Sequence, residues 1–140
     1  MIKITKAIEE EVKKFTKKEW YSADIEHYGK VVNWKERDFA FKAVDNGKIV
    51  GIITGKYEAG VLHISRIIVA KEKRGRGIGK KLMQGAENFG KKLGAHKIHL
   101  ITGKNWEDTN KFYNSLGFKK TANLPKHYLK RDFIIFEKFI

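Results

Sequence analysis

A mixed α/β domain is what this 140-residue chain predicts, and three observations predict it. Apolar residues alternate with period two from Asp38 to Val69, interrupted by Asp45-Asn46-Gly47 and by Gly60, which reads as three antiparallel strands in a meander. Ile78, Leu82, Ala86, Phe89 and Leu93 then recur at helical spacing, with Gly94 at the position of a C-terminal cap. A further strand, Ala95 to Thr102, completes a strand–loop–helix–strand unit, which requires two parallel strands and a right-handed crossover. The sheet is therefore expected to be mixed but mostly antiparallel, of about seven strands, with flanking helices.

The remaining elements follow in order. Ile2-Lys3-Ile4-Thr5 reads as a short first strand, and Ile8, Val12 and Phe15 mark one face of a helix. Ser22 is a cap candidate for a second short helix reaching Tyr28 and ended by Gly29. Past the crossover unit, Trp106, Thr109, Phe112 and Leu116 give a short helix closed by Gly117. Phe118 to Asn123 and Arg131 to Phe139 read as the closing strands, joined by an irregular loop around Leu124-Pro125-Lys126. No repeat, linker or low-complexity tract divides the chain, so one domain over residues 1–140 is expected, with residues 1–60 and 61–140 as its two parts.

Composition excludes several classes of chemistry. Cysteine is absent, which removes disulfides, thiolate metal sites and a cysteine nucleophile together. His96 and His99, three apart on a strand, point to opposite faces and predict no metal site. The N-terminus lacks a signal-like apolar core and no apolar run approaches bilayer length, so a cytoplasmic chain without membrane attachment is expected. The formal net charge of +14 is spread along the chain and attracts anions of every kind, nucleic acid included. The aromatics follow no RNA-recognition pattern and the charge sits on no single periodic face, so a nucleic-acid module is the less favoured reading.

Arg74-Gly75-Arg76-Gly77-Ile78-Gly79 lies between the apolar strand end Ile67-Ile68-Val69 and the helix, an order that aims backbone N–H groups and a helix N-terminus at an anion such as a pyrophosphate. Its glycine spacing is neither the dinucleotide G-x-G-x-x-G nor a Walker loop. It resembles instead the arginine/glutamine-x-x-glycine-x-glycine/alanine signature of the GNAT N-acetyltransferases, through Arg74, Gly77 and Gly79. Asn110-Lys111-Phe112-Tyr113-Asn114-Ser115-Leu116-Gly117-Phe118 resembles that family's second motif, and the two occur in the family's order.

The resemblance implies a GNAT-like fold with a β-loop-α-β core that binds acetyl-CoA as cosubstrate, in residues 61–140. Residues 1–60 would then form the acceptor side. It implies pyrophosphate binding by Arg74, Gly75, Arg76, Gly77, Ile78, Gly79 and Lys80, pairing of Ile67, Ile68 and Val69 with the pantetheine arm, and Tyr113 as the acid that protonates the leaving thiolate. A phenol suits that task because its ordinary pKa, about 10, lies close above that of a thiol. Trp106 stands where the family often has asparagine, leaving Asn105 and Asn110 as candidates for the cofactor arm. His63 is the candidate base for the amine, placed by strict alternation on one face with Ser65 and Ile67. A base acting through water, or Asp24, Glu26 or His27, are alternatives. Trp20, Tyr21, Tyr28 and Trp34 are candidates for an acceptor groove. The implied activity is transfer of acetyl from acetyl-CoA to a primary amine in a ternary complex, by a monomer or homodimer. A catalytically silent coenzyme A-binding sensor or scaffold is the alternative.

Overall fold

A computed structural model describes all 140 residues. They form two compact units, Met1–Trp34 and Lys35–Ile140.

The first unit is built on one helix, α1 (Glu9–Tyr28), ended at Gly29. It runs straight through Ser22, the position read as a new cap, because no glycine or proline interrupts residues 9–28 and a formed helix propagates at little cost. Glu11 closes its start by accepting the Ile8 N–H at 3.0 Å. Tyr28 packs edge-on against Trp34 at 5.8 Å, and the buried Asp24 accepts both the Trp34 Nε1–H at 3.0 Å and the Val32 N–H at 3.1 Å. Ile2–Thr5 forms no strand and stays exposed. Four residues with no hydrogen-bonded neighbour gain too little to hold an extended conformation.

The second unit is one six-stranded sheet with strand order β1-β2-β3-β4-β6-β5, one strand fewer than expected. Its strands are β1 (Arg37–Asp45), β2 (Lys48–Glu58), β3 (Val61–Val69), β4 (Lys97–Gly103), β5 (Lys119–Leu124) and β6 (Phe133–Phe139). All pairings are antiparallel except β3 with β4, the crossover pair. The connecting helix α2 (Ile78–Leu93) buries Leu82, Met83, Ala86 and Gly90 against Phe39, Ile53 and Leu62. The short helix α3 (Glu107–Ser115) sets Tyr113 against Phe118 and Phe136, ring centroids 5.9 and 6.0 Å away. Phe136 and Leu100 are cross-strand partners in the same core, so α2 and α3 share one face of the sheet.

One irregularity in β3 shapes everything downstream. Thr54 of β2 faces Arg66, yet the next residue, Gly55, faces Ile64, leaving Ser65 as an extra residue in a β-bulge. Leu62 and Ile64 turn toward the core before the bulge, and Ile67 and Val69 after it. Strict alternation had placed His63 with Ile67; the bulge reverses the parity, so His63 shares its face with Arg66 and Ile68. Gly55 makes room for this. A Cβ there would meet the His63 carbonyl oxygen and lie 2.8 Å from the Phe39 ring. Gly55→Ala is accordingly expected to destabilise the fold by about 1–3 kcal/mol, the usual cost of overpacking. A thermal or urea transition coincident with wild type would show that the backbone yields freely.

Candidate active site

β3 and β4 are hydrogen-bonded at only three rungs, Val61 with Lys97, Leu62 with Ile98 and His63 with His99, and then part. A bulge bends and twists the strand that carries it, and here it lies two residues past the last rung. Beyond His63 the β4-facing edge of β3 has no strand beside it. Its backbone N–H and C=O groups are left for an extended partner to pair with.

The parting opens a cleft of about 1070 Å³. One wall is Ile64 to Val69, the other Leu100, Ile101 and Thr102, with Trp106, Phe112 and Tyr113 contributed by and around α3. At its mouth lie Lys73, Arg74, Gly75, Gly77, Ile78, Gly79 and Lys80. The volume is at the upper end for small-molecule sites, which favours a long ligand over a compact one.

The mouth is built to receive negative charge. Gly77 is the N-cap of α2 with φ +79° and ψ 8°, and no side chain caps the helix. The first intrahelical bond runs from the Lys81 N–H to the Gly77 carbonyl at 3.1 Å. The N–H groups of Ile78, Gly79 and Lys80 therefore point out of the helix end without helical partners, where the helix dipole adds partial positive charge. No acidic residue occupies the first turn. Arg74 donates its Nε–H to the Val69 carbonyl at 3.0 Å, pinning the loop to the end of β3. Gly79 serves packing as well as access, since a Cβ there would lie 3.0 Å from the Phe112 ring.

Tyr113 is 8 % exposed, stands in the cleft wall, and makes no hydrogen bond through its hydroxyl within the protein. Burial pushes its phenol pKa up, so it remains protonated at neutral pH and available as a donor. His63 is displaced in the opposite direction: burial first, then the nearby His99, Lys56 and Lys97, lower its pKa, while Glu36 opposes them. A lowered histidine is a neutral imidazole at physiological pH, able to accept a proton. It lies outside the cleft wall, at the last rung before the strands separate.

Other residues singled out from the sequence are placed elsewhere. Asn110 accepts from the Thr102 hydroxyl at 3.0 Å and donates to the carbonyls of Gly103 and Lys104 at 3.0 and 3.3 Å, tying the end of β4 to α3. Asn105 is exposed in the preceding turn, and Arg76 is exposed; neither is part of the cleft wall. Ile67, Ile68 and Val69 all are. Asp24, Tyr28 and Trp34 are joined to one another or to the backbone within the first unit. His96 and His99 belong to no group of side chains able to hold a metal. Thr102 was missed from the sequence. It is fully buried, and only the fold brings it to Asn110.

A cleft between two parted parallel strands, with a helix N-terminus at one end and a tyrosine hydroxyl in its wall, fits a protein that binds a nucleotide-linked extended arm. The chain belongs to the Acetyltransferase (GNAT) family, whose model matches residues 5–118. It is an acetyl-CoA-dependent N-acetyltransferase. N-alpha-acetyltransferase 30 of Schizosaccharomyces pombe is 35% identical over 104 residues, covering 71% of this chain and 68% of that protein. The structure of Arabidopsis thaliana Naa50 in complex with the bisubstrate analogue CoA-Ac-MVNAL superposes with TM-score 0.64 at 29% identity, covering 71% of each chain. A GNAT family acetyltransferase from Elizabethkingia anophelis, solved with acetyl-CoA bound, has the same fold, with TM-score 0.68 and 19% identity over 72% of this chain and 75% of that one. No helix here is long and apolar enough to cross a membrane.

Proposed function

We propose that this protein acetylates a primary amine at the N-terminus of a peptide or protein, by direct attack on acetyl-CoA in a ternary complex. The observation that carries the proposal is the wedge between β3 and β4, closed at His63–His99 and open at the α2 N-terminus. A pyrophosphate held by the N–H groups of Ile78, Gly79 and Lys80, with Arg74 and Gly77 shaping the loop, would send the pantetheine arm down the wedge. Its amides would pair with the free edge of Ile67, Ile68 and Val69. The thioester would then come to rest beside Tyr113, near the apex. Similarity to N-alpha-acetyltransferase 30 and to the peptide-analogue complex of Naa50 supports an α-amine acceptor.

The chemistry balances with the groups present. The neutral amine attacks the thioester carbonyl carbon, and the C–S bond breaks as the carbonyl re-forms. The departing sulfur takes the Tyr113 proton, and the phenolate regains one from solvent. The proton lost by the amine passes to His63, directly or through a water, and then to solvent. With no cysteine in the chain, no acyl-enzyme at sulfur can form.

Two measurements test this. Acetyl-CoA at a hundred times its dissociation constant should stabilise the fold by about 2.7 kcal/mol, raising the melting temperature by roughly 5–10 °C. Turnover should follow on a pool of pentapeptides with free N-termini, Met-Val-Asn-Ala-Leu among them, and vanish on the same peptides with blocked N-termini and an internal lysine. Acetylation of the lysine alone would overturn the α-amine assignment. Stabilisation by RNA and not by acetyl-CoA at physiological salt would overturn the whole reading.

A further inference from the structure

Three titratable side chains stand in a row across three neighbouring strands, on the sheet face away from α2: His63 on β3, His99 on β4 and Glu137 on β6. His63 and His99 are the last hydrogen-bonded rung before the cleft, and their rings meet edge to face with centroids 5.2 Å apart. His99 and Glu137 are direct cross-strand partners, with Nδ1 of the ring 2.9 Å from Oε2 of the carboxylate. Lys97 approaches the same oxygen at 2.8 Å. Burial works against ionisation of Glu137, but the Lys97 ammonium, the His99 ring and the Thr121 hydroxyl outweigh it and hold the carboxyl at about 2. An ionised carboxylate can only accept, so the proton of the His99 ring sits on Nδ1, and the ring has one tautomer and one orientation when neutral.

We propose that His99, locked by Glu137, is a positioning residue for His63 and fixes the ring that takes the proton of the incoming amine. The proposal rests on the reading of His63 as base given above and adds two residues to it. Other charges face His63 as well. Lys56 is its cross-strand partner on β2, paired in turn with Glu36 at 3.0 Å and flanked by Glu58. Lys97 stands on β4 beside His99. Apart from burial, His99 is the foremost influence keeping the His63 ring neutral, which is the state a base requires.

The test reads His63 directly and through turnover. The Cε1–H resonance of His63 is titrated by NMR in wild type and in His99→Phe, which keeps an aromatic ring against His63 but removes the ionisable imidazole. The same proteins are assayed for kcat/KM against pH on the pentapeptide pool. The midpoint of His63 should move to higher pH in His99→Phe, the acid limb of kcat/KM should move with it, and KM for acetyl-CoA should stay unchanged. Glu137→Gln should lower kcat, again with unchanged KM for acetyl-CoA, and Glu137→Asp should recover part of it. In a His63→Gln background, His99→Phe should cause no further loss. A His63 midpoint and acid limb that coincide in wild type and His99→Phe would overturn the proposal. A shifted midpoint together with wild-type turnover in His63→Gln would instead overturn the reading of His63 as base, leaving its coupling to His99 intact.

Discussion

Replacing Tyr113 by Phe is expected to lower kcat by about 10²–10⁴-fold while leaving affinity for acetyl-CoA nearly unchanged. The ring lies among Phe112, Phe118 and Phe136, and those contacts involve its carbon framework alone. The hydroxyl makes no hydrogen bond within the protein, so its removal strands no partner and costs the fold little. What disappears is the phenolic proton in the cleft wall. A thiolate expelled without a donor is a poor leaving group, and the tetrahedral intermediate returns to reactants. Equal loss of binding and turnover would assign Tyr113 to packing. Wild-type turnover at every pH would remove it from the mechanism.

Gly77→Val should weaken acetyl-CoA binding by about 10²-fold or more, equivalent to losing two hydrogen bonds to a charged phosphate at roughly 1.5 kcal/mol each. Gly77 occupies the left-handed region at φ +79°, where a residue with a Cβ is strained by about 1–2 kcal/mol and a β-branched one by more. A Cβ at this site would meet no atom within 4 Å, so the folded protein should survive the change. In the proposed binding mode, that open space is where the pyrophosphate approaches the N–H groups of α2. Isothermal titration of a folded variant decides the matter. Asparagine tolerates the left-handed region, so Gly77→Asn separates backbone strain from obstruction: a loss as large as that of valine assigns the effect to obstruction.

Both variants test residues that the chain announces in its sequence. Gly77 and Tyr113 belong to two local patterns, one a strand–glycine loop–helix and the other a helix closed by Gly117-Phe118. A local pattern is legible because the backbone chemistry it encodes is complete within a few residues. The same holds for Asp45-Asn46-Gly47 and for the helix from Ile78 to Leu93, where turn and period specify the element without outside help. His63 shows the limit. Its type and strand could be read, but its face could not. The extra Ser65 reverses the alternation, and nothing in residues 61–69 alone marks it; the signal lies in Gly55 on the neighbouring strand. Asn110, one of two candidates for the cofactor arm in the sequence, has its amide engaged by Thr102, Gly103 and Lys104, contacts that only the fold brings together. Ser22 has the side chain of a cap, but with no glycine or proline between residues 9 and 28 the helix runs through it.

By itself the sequence determined the order of strands and helices in the second unit, the parallel crossover, the glycine loop before α2 and the place of Tyr113 on α3, because each is fixed by periodicity, turn chemistry or a short motif. Tertiary structure decided where β3 and β4 stop pairing, which face His63 takes, and that His99 and Glu137 stand beside it. Those properties depend on the register between strands distant in the chain. Register is set by packing across the sheet, which no single segment contains.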